Sequence, residues 1–141
     1  MAGGQSIDLE GNAKNFEDLK HLHSLKTGAL IRAAVMLGAL CGDAMSAEMR
    51  ESLDRFAKRA GLLFQVVDDI LDCTASTATL GKTAGKDAAA DKPTYVSLLG
   101  LQAARAYADE LRADALDALA TFGTRAARLT QLADFICHRQ F

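Results

Sequence analysis

Gln65, Asp68, Asp69 and Asp72 fall at i, i+3, i+4 and i+7, so on a helix they form a single stripe. Every other residue from Leu62 to Asp72 is apolar, which predicts that most of this helix is buried. Three carboxylates crowded on such a helix repel one another and lose hydration, a costly arrangement without a cation. Mg²⁺ resolves the conflict, because it takes oxygen ligands and commonly binds one or two carboxylates together with a substrate phosphate. A solvated acidic stripe is the ordinary alternative for a run of aspartates. The apolar neighbours on both sides favour a metal-facing cleft.

Past Asp72 the chain carries Gly81-Lys82-Thr83, Gly85-Lys86-Asp87 and Asp91-Lys92. Gly-Lys-Thr suggests a nucleotide loop, but that motif needs a glycine where Ser76 stands and a preceding strand where a helix is expected. A basic, glycine-containing segment beside three carboxylates instead suits phosphate oxygens bridged through Mg²⁺. Lys26 lies within the apolar stripe Leu22, Ala29, Leu30 and Ala33, beside Thr27 and Gly28. A snorkelling lysine accounts for it as readily as a cleft ammonium facing an anion. Gln5 and Asp8 at i and i+3 add polar groups near the start. His21 and His23 lie on opposite faces of their helix and cannot share a metal.

The elements that position these residues read as helices throughout. Asn15 is a good N-cap, with Glu17 and Asp18 in the first turn, for one helix extending to Gly42. A second begins at Ser46 and runs to about Cys73, roughly 40 Å at about 1.5 Å per residue. From Thr74 to Lys92 the periodicity fails, and a loop is expected there. Pro93 suits the first position of the next helix, and Gly100 marks a break. Ala104, Tyr107, Ala108, Leu111, Ala115, Leu119 and Phe122 form a stripe that stops at Gly123. Leu129, Leu132, Ala133 and Ile136 mark the last helix. The expected fold is an all-α helical bundle. Because few helices are available to cover it, Leu62 to Asp72 should leave a hydrophobic cleft exposed.

The chain has 141 residues, 16 Lys+Arg and 18 Asp+Glu, for a net charge of −2, so no basic field attracts nucleic acid. A length of this order suits one domain, and a single proline excludes collagen-like folds. No stretch approaches the roughly 20 apolar residues of a membrane span, and the start lacks the pattern of a signal peptide. Cys41, Cys73 and Cys137 are odd in number and far apart, which points to a reducing, cytoplasmic setting with all three packed as small apolar groups.

Gly4-Gln5-Ser6-Ile7-Asp8-Leu9, Lys26-Thr27-Gly28, Phe64-Gln65-Val66-Val67-Asp68-Asp69-Ile70-Leu71-Asp72, Leu80-Gly81-Lys82-Thr83-Ala84-Gly85-Lys86-Asp87 and Lys92-Pro93-Thr94-Tyr95 follow in this order. The set resembles the C-terminal half of bacterial short-chain trans-prenyl diphosphate synthases, most of all the farnesyl diphosphate synthases. The resemblance implies the C-terminal half of the isoprenoid synthase fold and a cytoplasmic homodimer. It also implies that an allylic diphosphate, dimethylallyl or geranyl, condenses with isopentenyl diphosphate by ionisation, condensation and elimination. Asp68, Asp69 and Asp72 would hold Mg²⁺ against the allylic diphosphate. Lys82 and Lys92 would contact that diphosphate, and Asp87 would order the loop or the metal's waters. Lys26, Thr27 and Gln65 would line the reacting end as catalytic and substrate-binding residues. The family's first aspartate-rich motif and its isopentenyl diphosphate seat do not occur in these 141 residues. The chain therefore reads as half of an enzyme, inactive alone, whose N-terminal half is absent. The alternative is a non-catalytic helical Mg²⁺-binding module or a regulatory partner of an active synthase.

Overall fold

The computed structural model describes residues 15–79 and 93–140, and within them every regular element is helical. Helix α1 (Phe16–Leu25) starts where Asn15 caps it, the asparagine side chain accepting from the Asp18 N–H at 3.0 Å. The single helix expected from Asn15 to Gly42 is two. At Lys26 the backbone leaves helical geometry (φ −86°, ψ −99°), and α2 (Thr27–Leu40) sets off from there.

Glycines allow the packing that follows this break. A Cβ on Gly61 would lie 2.9 Å from the Gly28 Cα, and one on Gly28 would lie 3.0 Å from the His23 carbonyl oxygen. Helix α2 thus crosses α3 (Ala47–Thr79) backbone against backbone.

Ser46 caps α3, its hydroxyl accepting from the Met49 N–H at 3.2 Å. The helix has 33 residues and passes its expected end at Cys73. The Thr74 hydroxyl donates to the Ile70 and Leu71 carbonyls at 2.9 and 3.0 Å, which satisfies it inside the helix and lets the helix continue. The expected loop therefore begins later than Thr74, and its remainder lies outside the described residues. Pro93 is not the first helical residue either. Thr94 is the N-cap of α4 (Tyr95–Leu99) in a reciprocal capping box with Ser97.

Gly100, at φ 83°, turns the chain from α4 into α5 (Leu101–Ala118), a left-handed conformation that suits glycine. A 3-10 helix (Ala120–Ala126), bent at Gly123 with φ 54°, leads into α6 (Ala127–His138).

Helix α3 is central, flanked by α5 and α2, with α1, α4 and α6 also packed on it. One core cluster joins Leu53, Phe56 and Ala60 of α3 to Ala115, Leu119 and Ala133. A second joins Leu63 and Val66 to Leu19, Tyr95, Leu111 and Ile136. Burying each large apolar side chain contributes about 1.5–3 kcal/mol.

Two expectations are corrected by this packing. Leu62, Leu63, Val66 and Val67 are all buried, so among the described residues these side chains leave no open hydrophobic cleft. Uncovered apolar side chains lie instead on α2, where Leu30, Leu37 and Leu40 are 58%, 62% and 61% exposed, and on α6, where Phe135 is 57% exposed. Cys41 is exposed rather than packed, while Cys73 and Cys137 are half-buried. No helix among the described residues is long and apolar enough to cross a membrane.

Candidate active site

The glycine crossing puts the first residue of α2 beside the start of the polar stripe. Gln65 lies one turn beyond Gly61, and the Thr27 hydroxyl donates to its Oε1 at 3.4 Å. Lys26 stands at the helix break just before Thr27 and is half-buried. Two of the three residues expected at the reacting end are thus in contact, with the lysine next to them in the chain.

One to two turns further along α3, a groove of about 390 Å³ is lined by Asp68, Leu71, Asp72, Thr74, Ala75 and Gln140. Asp72 is exposed there. Asp68 is held by Arg139, whose guanidinium lies 2.9 Å from Oδ1 and also donates to the Phe64 carbonyl at 3.1 Å. The same guanidinium stacks 4.1 Å above the Phe64 ring, and the Arg139 side chain is only 11% exposed.

Asp69 behaves differently. It does not line the groove, and its Oδ2 accepts from the Tyr95 N–H at 2.7 Å. Burial pushes its carboxyl up to about 6 from 3.8; the Asp68 and Asp72 charges add to the rise, and the Tyr95 N–H opposes it. Tyr95 itself is fully buried, with its ring 5.8 Å from Phe16, 5.4 Å from His23 and 6.1 Å from Tyr107. Burial likewise raises the pKa of its hydroxyl, which stays neutral.

The structure thus joins Thr27 with Gln65, and Asp68 with Asp72, along one side of α3, and turns Asp69 toward α4. Among the described residues no three Asp, Glu, His or Cys side chains gather as a self-sufficient metal cage. Two groove carboxylates still fit Mg²⁺, which keeps most of its shell for water and phosphate oxygens. Lys82, Asp87 and Lys92, like Gln5 and Asp8, lie outside the described residues. Arg139 and the Tyr95 N–H were not anticipated, because their partners on α3 are 71 and 26 residues away and no local spacing reveals them.

A sequence profile of the polyprenyl synthetase family matches residues 1–126. The chain belongs to the polyprenyl synthetase family. A probable farnesyl diphosphate synthase of Sinorhizobium fredii is 52% identical over 136 residues, covering 93% of this chain and 41% of that protein. A chloroplastic geranylgeranyl pyrophosphate synthase of Capsicum annuum is 49% identical over 143 residues, covering 99% and 38%. The crystal structure of a putative farnesyl-diphosphate synthase from Marinomonas sp. MED121 superposes with a TM-score of 0.80 at 38% identity, over 97% of this chain and 46% of that one. Geranyltransferase from Helicobacter pylori, complexed with magnesium and isoprenyl diphosphate, gives 0.72 at 33% identity, over 96% and 45%. This polyprenyl synthetase chain therefore has the all-α fold of those structures and spans less than half the length of the relatives it matches.

Proposed function

We propose that this chain carries the metal- and diphosphate-binding side of a prenyltransferase site, in which an allylic diphosphate (dimethylallyl or geranyl) is condensed with isopentenyl diphosphate. The observation that carries the reading is the groove on α3, where Asp68 and Asp72 present carboxylates at i, i+4 beside the Thr27–Gln65 pair.

Mg²⁺ bound there would offset the negative charge that builds up on a departing diphosphate. Arg139 pairs with Asp68 at 2.9 Å and so holds that carboxylate in place at the groove. The Thr27 and Gln65 oxygens point dipoles at the reacting end, where they favour a developing allylic cation. Lys26, beside them, supplies positive charge for diphosphate, and Lys82, Lys92 and Asp87 belong to the same proposal on the strength of the family resemblance alone. The reaction also needs acidic groups on the far side of the diphosphate. We assign these to polypeptide outside these 141 residues, in a cytoplasmic homodimeric enzyme.

The second reading, a Mg²⁺-binding or regulatory module, is favoured by the single aspartate-rich motif in this sequence. Calorimetric titration with inorganic pyrophosphate, with and without Mg²⁺, tests the groove. Binding should require the metal, and Asp72→Asn should weaken it by roughly tenfold or more. Metal-independent binding that Asp72→Asn leaves unchanged overturns the assignment. Incubation with allylic and isopentenyl diphosphates should yield no product from this chain alone. Turnover by the unaided chain would refute the need for a second acidic side.

A further inference from the structure

The three aspartates of the stripe do not share one environment. We infer that Asp69 is a positioning residue that fastens α4 to the acidic helix, leaving Asp68 and Asp72 as the carboxylates that face the groove; the second half of this statement rests on the reading of the groove given above. Helix geometry already separates them. Asp68 and Asp72 are one turn apart, whereas Asp69 is rotated by about 100° from Asp68 around the axis.

The contacts follow that rotation. Asp68 and Asp72 line the groove and Asp69 does not. The Asp69 Oδ2 takes the N–H of Tyr95, the first residue of α4, at 2.7 Å. That N–H has no partner inside a helix that begins with it, so without Asp69 it would be left unpaired beside a buried ring. Thr94 satisfies the Ser97 N–H of the same turn, so Asp69 and Thr94 divide the first turn of α4 between them.

Tyr95 cannot move to release the aspartate. Its ring is 0% exposed and wedged among Phe16, His23 and Tyr107, which ties α4 to α1 and α5. An Asp69 that swung into the groove would break a short charge-assisted hydrogen bond at a fixed donor. The bond therefore ties α4 to α3 at Asp69 and keeps this carboxylate out of the groove that Asp68 and Asp72 line.

Two measurements test this on the same variants. Amide hydrogen exchange should show the Tyr95 N–H protected in the wild type and in Asp69→Asn, whose side-chain carbonyl still accepts. In Asp69→Ala it should exchange on the order of tenfold faster or more. Mg²⁺-dependent pyrophosphate binding should fall by roughly tenfold or more in Asp68→Asn and Asp72→Asn, and by no more than about twofold in Asp69→Asn. Unchanged Tyr95 protection in Asp69→Ala overturns the fastening role. Binding lost as severely in Asp69→Asn as in Asp72→Asn shows that Asp69 is a ligand after all. If the wild type binds no pyrophosphate, the groove reading fails, and exchange at Tyr95 alone decides the role of Asp69. If Asp69→Ala does not fold, Asp69→Asn decides through the binding comparison.

Discussion

Between Leu53 and Val67, α3 carries side chains that the other helices cover almost completely, whereas from Asp68 onward the same helix borders an open groove. In the first stretch Phe56, Ala57, Leu63 and Val66 have no exposed surface, and Gly61 admits α2 to backbone contact. In the second, Asp68 is half exposed and Asp72 is exposed; an ion pair holds Asp68 and a hydrogen bond holds Asp69, while Ile70 and Leu71 keep partial contact with the core. One continuous helix thus connects a stretch held by apolar packing to one shaped by charge. Rigidity at the packed end fixes the direction in which the charged end points, so that end needs few contacts of its own.

The largest expected effect separates the two ends directly. Phe56→Ala removes a fully buried ring from the cluster shared with Ala115 and Leu119 and should cost about 3–5 kcal/mol in urea denaturation. Asp72→Asn, at an exposed position, should stay within about 0.5 kcal/mol of wild type. Equal costs for the two would erase the distinction.

A smaller loss is expected at the helix crossing. In an open helix Gly→Ala would gain about 1 kcal/mol of helix propensity. At Gly61 the new methyl would sit 2.9 Å from the Gly28 Cα, backbone that cannot give way as a flexible side chain would. Gly61→Ala should therefore destabilise by about 1–3 kcal/mol. It should also part Thr27 from Gln65, which lies one turn on. A stabilised Gly61→Ala protein would mean that α2 and α3 do not meet here, and the reacting end would lose the device that assembles it.

This crossing also explains what could be read in the sequence and what could not. Helices announced by local signals are where the signals put them. Asn15 caps α1, Gly100 separates α4 from α5, and Ala104, Ala108, Leu111 and Ala115 are the buried face of α5. The break at Lys26 was invisible because Leu22, Ala29 and Leu30 keep the helical period across it, and its partner Gly61 is distant in sequence. The overrun of α3 was hidden because threonine and serine read as breakers unless a hydroxyl, like that of Thr74, finds carbonyls of its own helix. At the site, spacing alone revealed the polar stripe. It could not show that Arg139 would hold Asp68 or that the Tyr95 N–H would draw Asp69 aside, because those partners arrive by tertiary folding.

The smallest effect concerns pH and the acidic end of α3. Asp69 titrates at about 6 in the folded chain against 3.8 for an ordinary aspartate, chiefly because it is buried. The folded state therefore takes up a proton at a pH where the unfolded state does not. Its contribution to stability is fully present below about pH 4 and is lost as pH rises through about 6. Acidifying the metal-free chain from about pH 7 to about pH 5 should raise the stability of the wild type relative to Asp69→Asn, which has no such proton to bind. Asp69 is partly open to solvent, so screening reduces the gain to about 1 kcal/mol. Asp54, whose pairing with Lys58 and Arg32 holds its carboxyl below the usual range, acts in the opposite direction but only at lower pH. Urea midpoints of the two proteins at several pH values measure the difference, and groups common to both cancel. A difference that stays flat between about pH 7 and pH 5 would mean that Asp69 is solvated like Asp72, and the acidic end of α3 would then be one uniform surface rather than two groove carboxylates beside a fastened third.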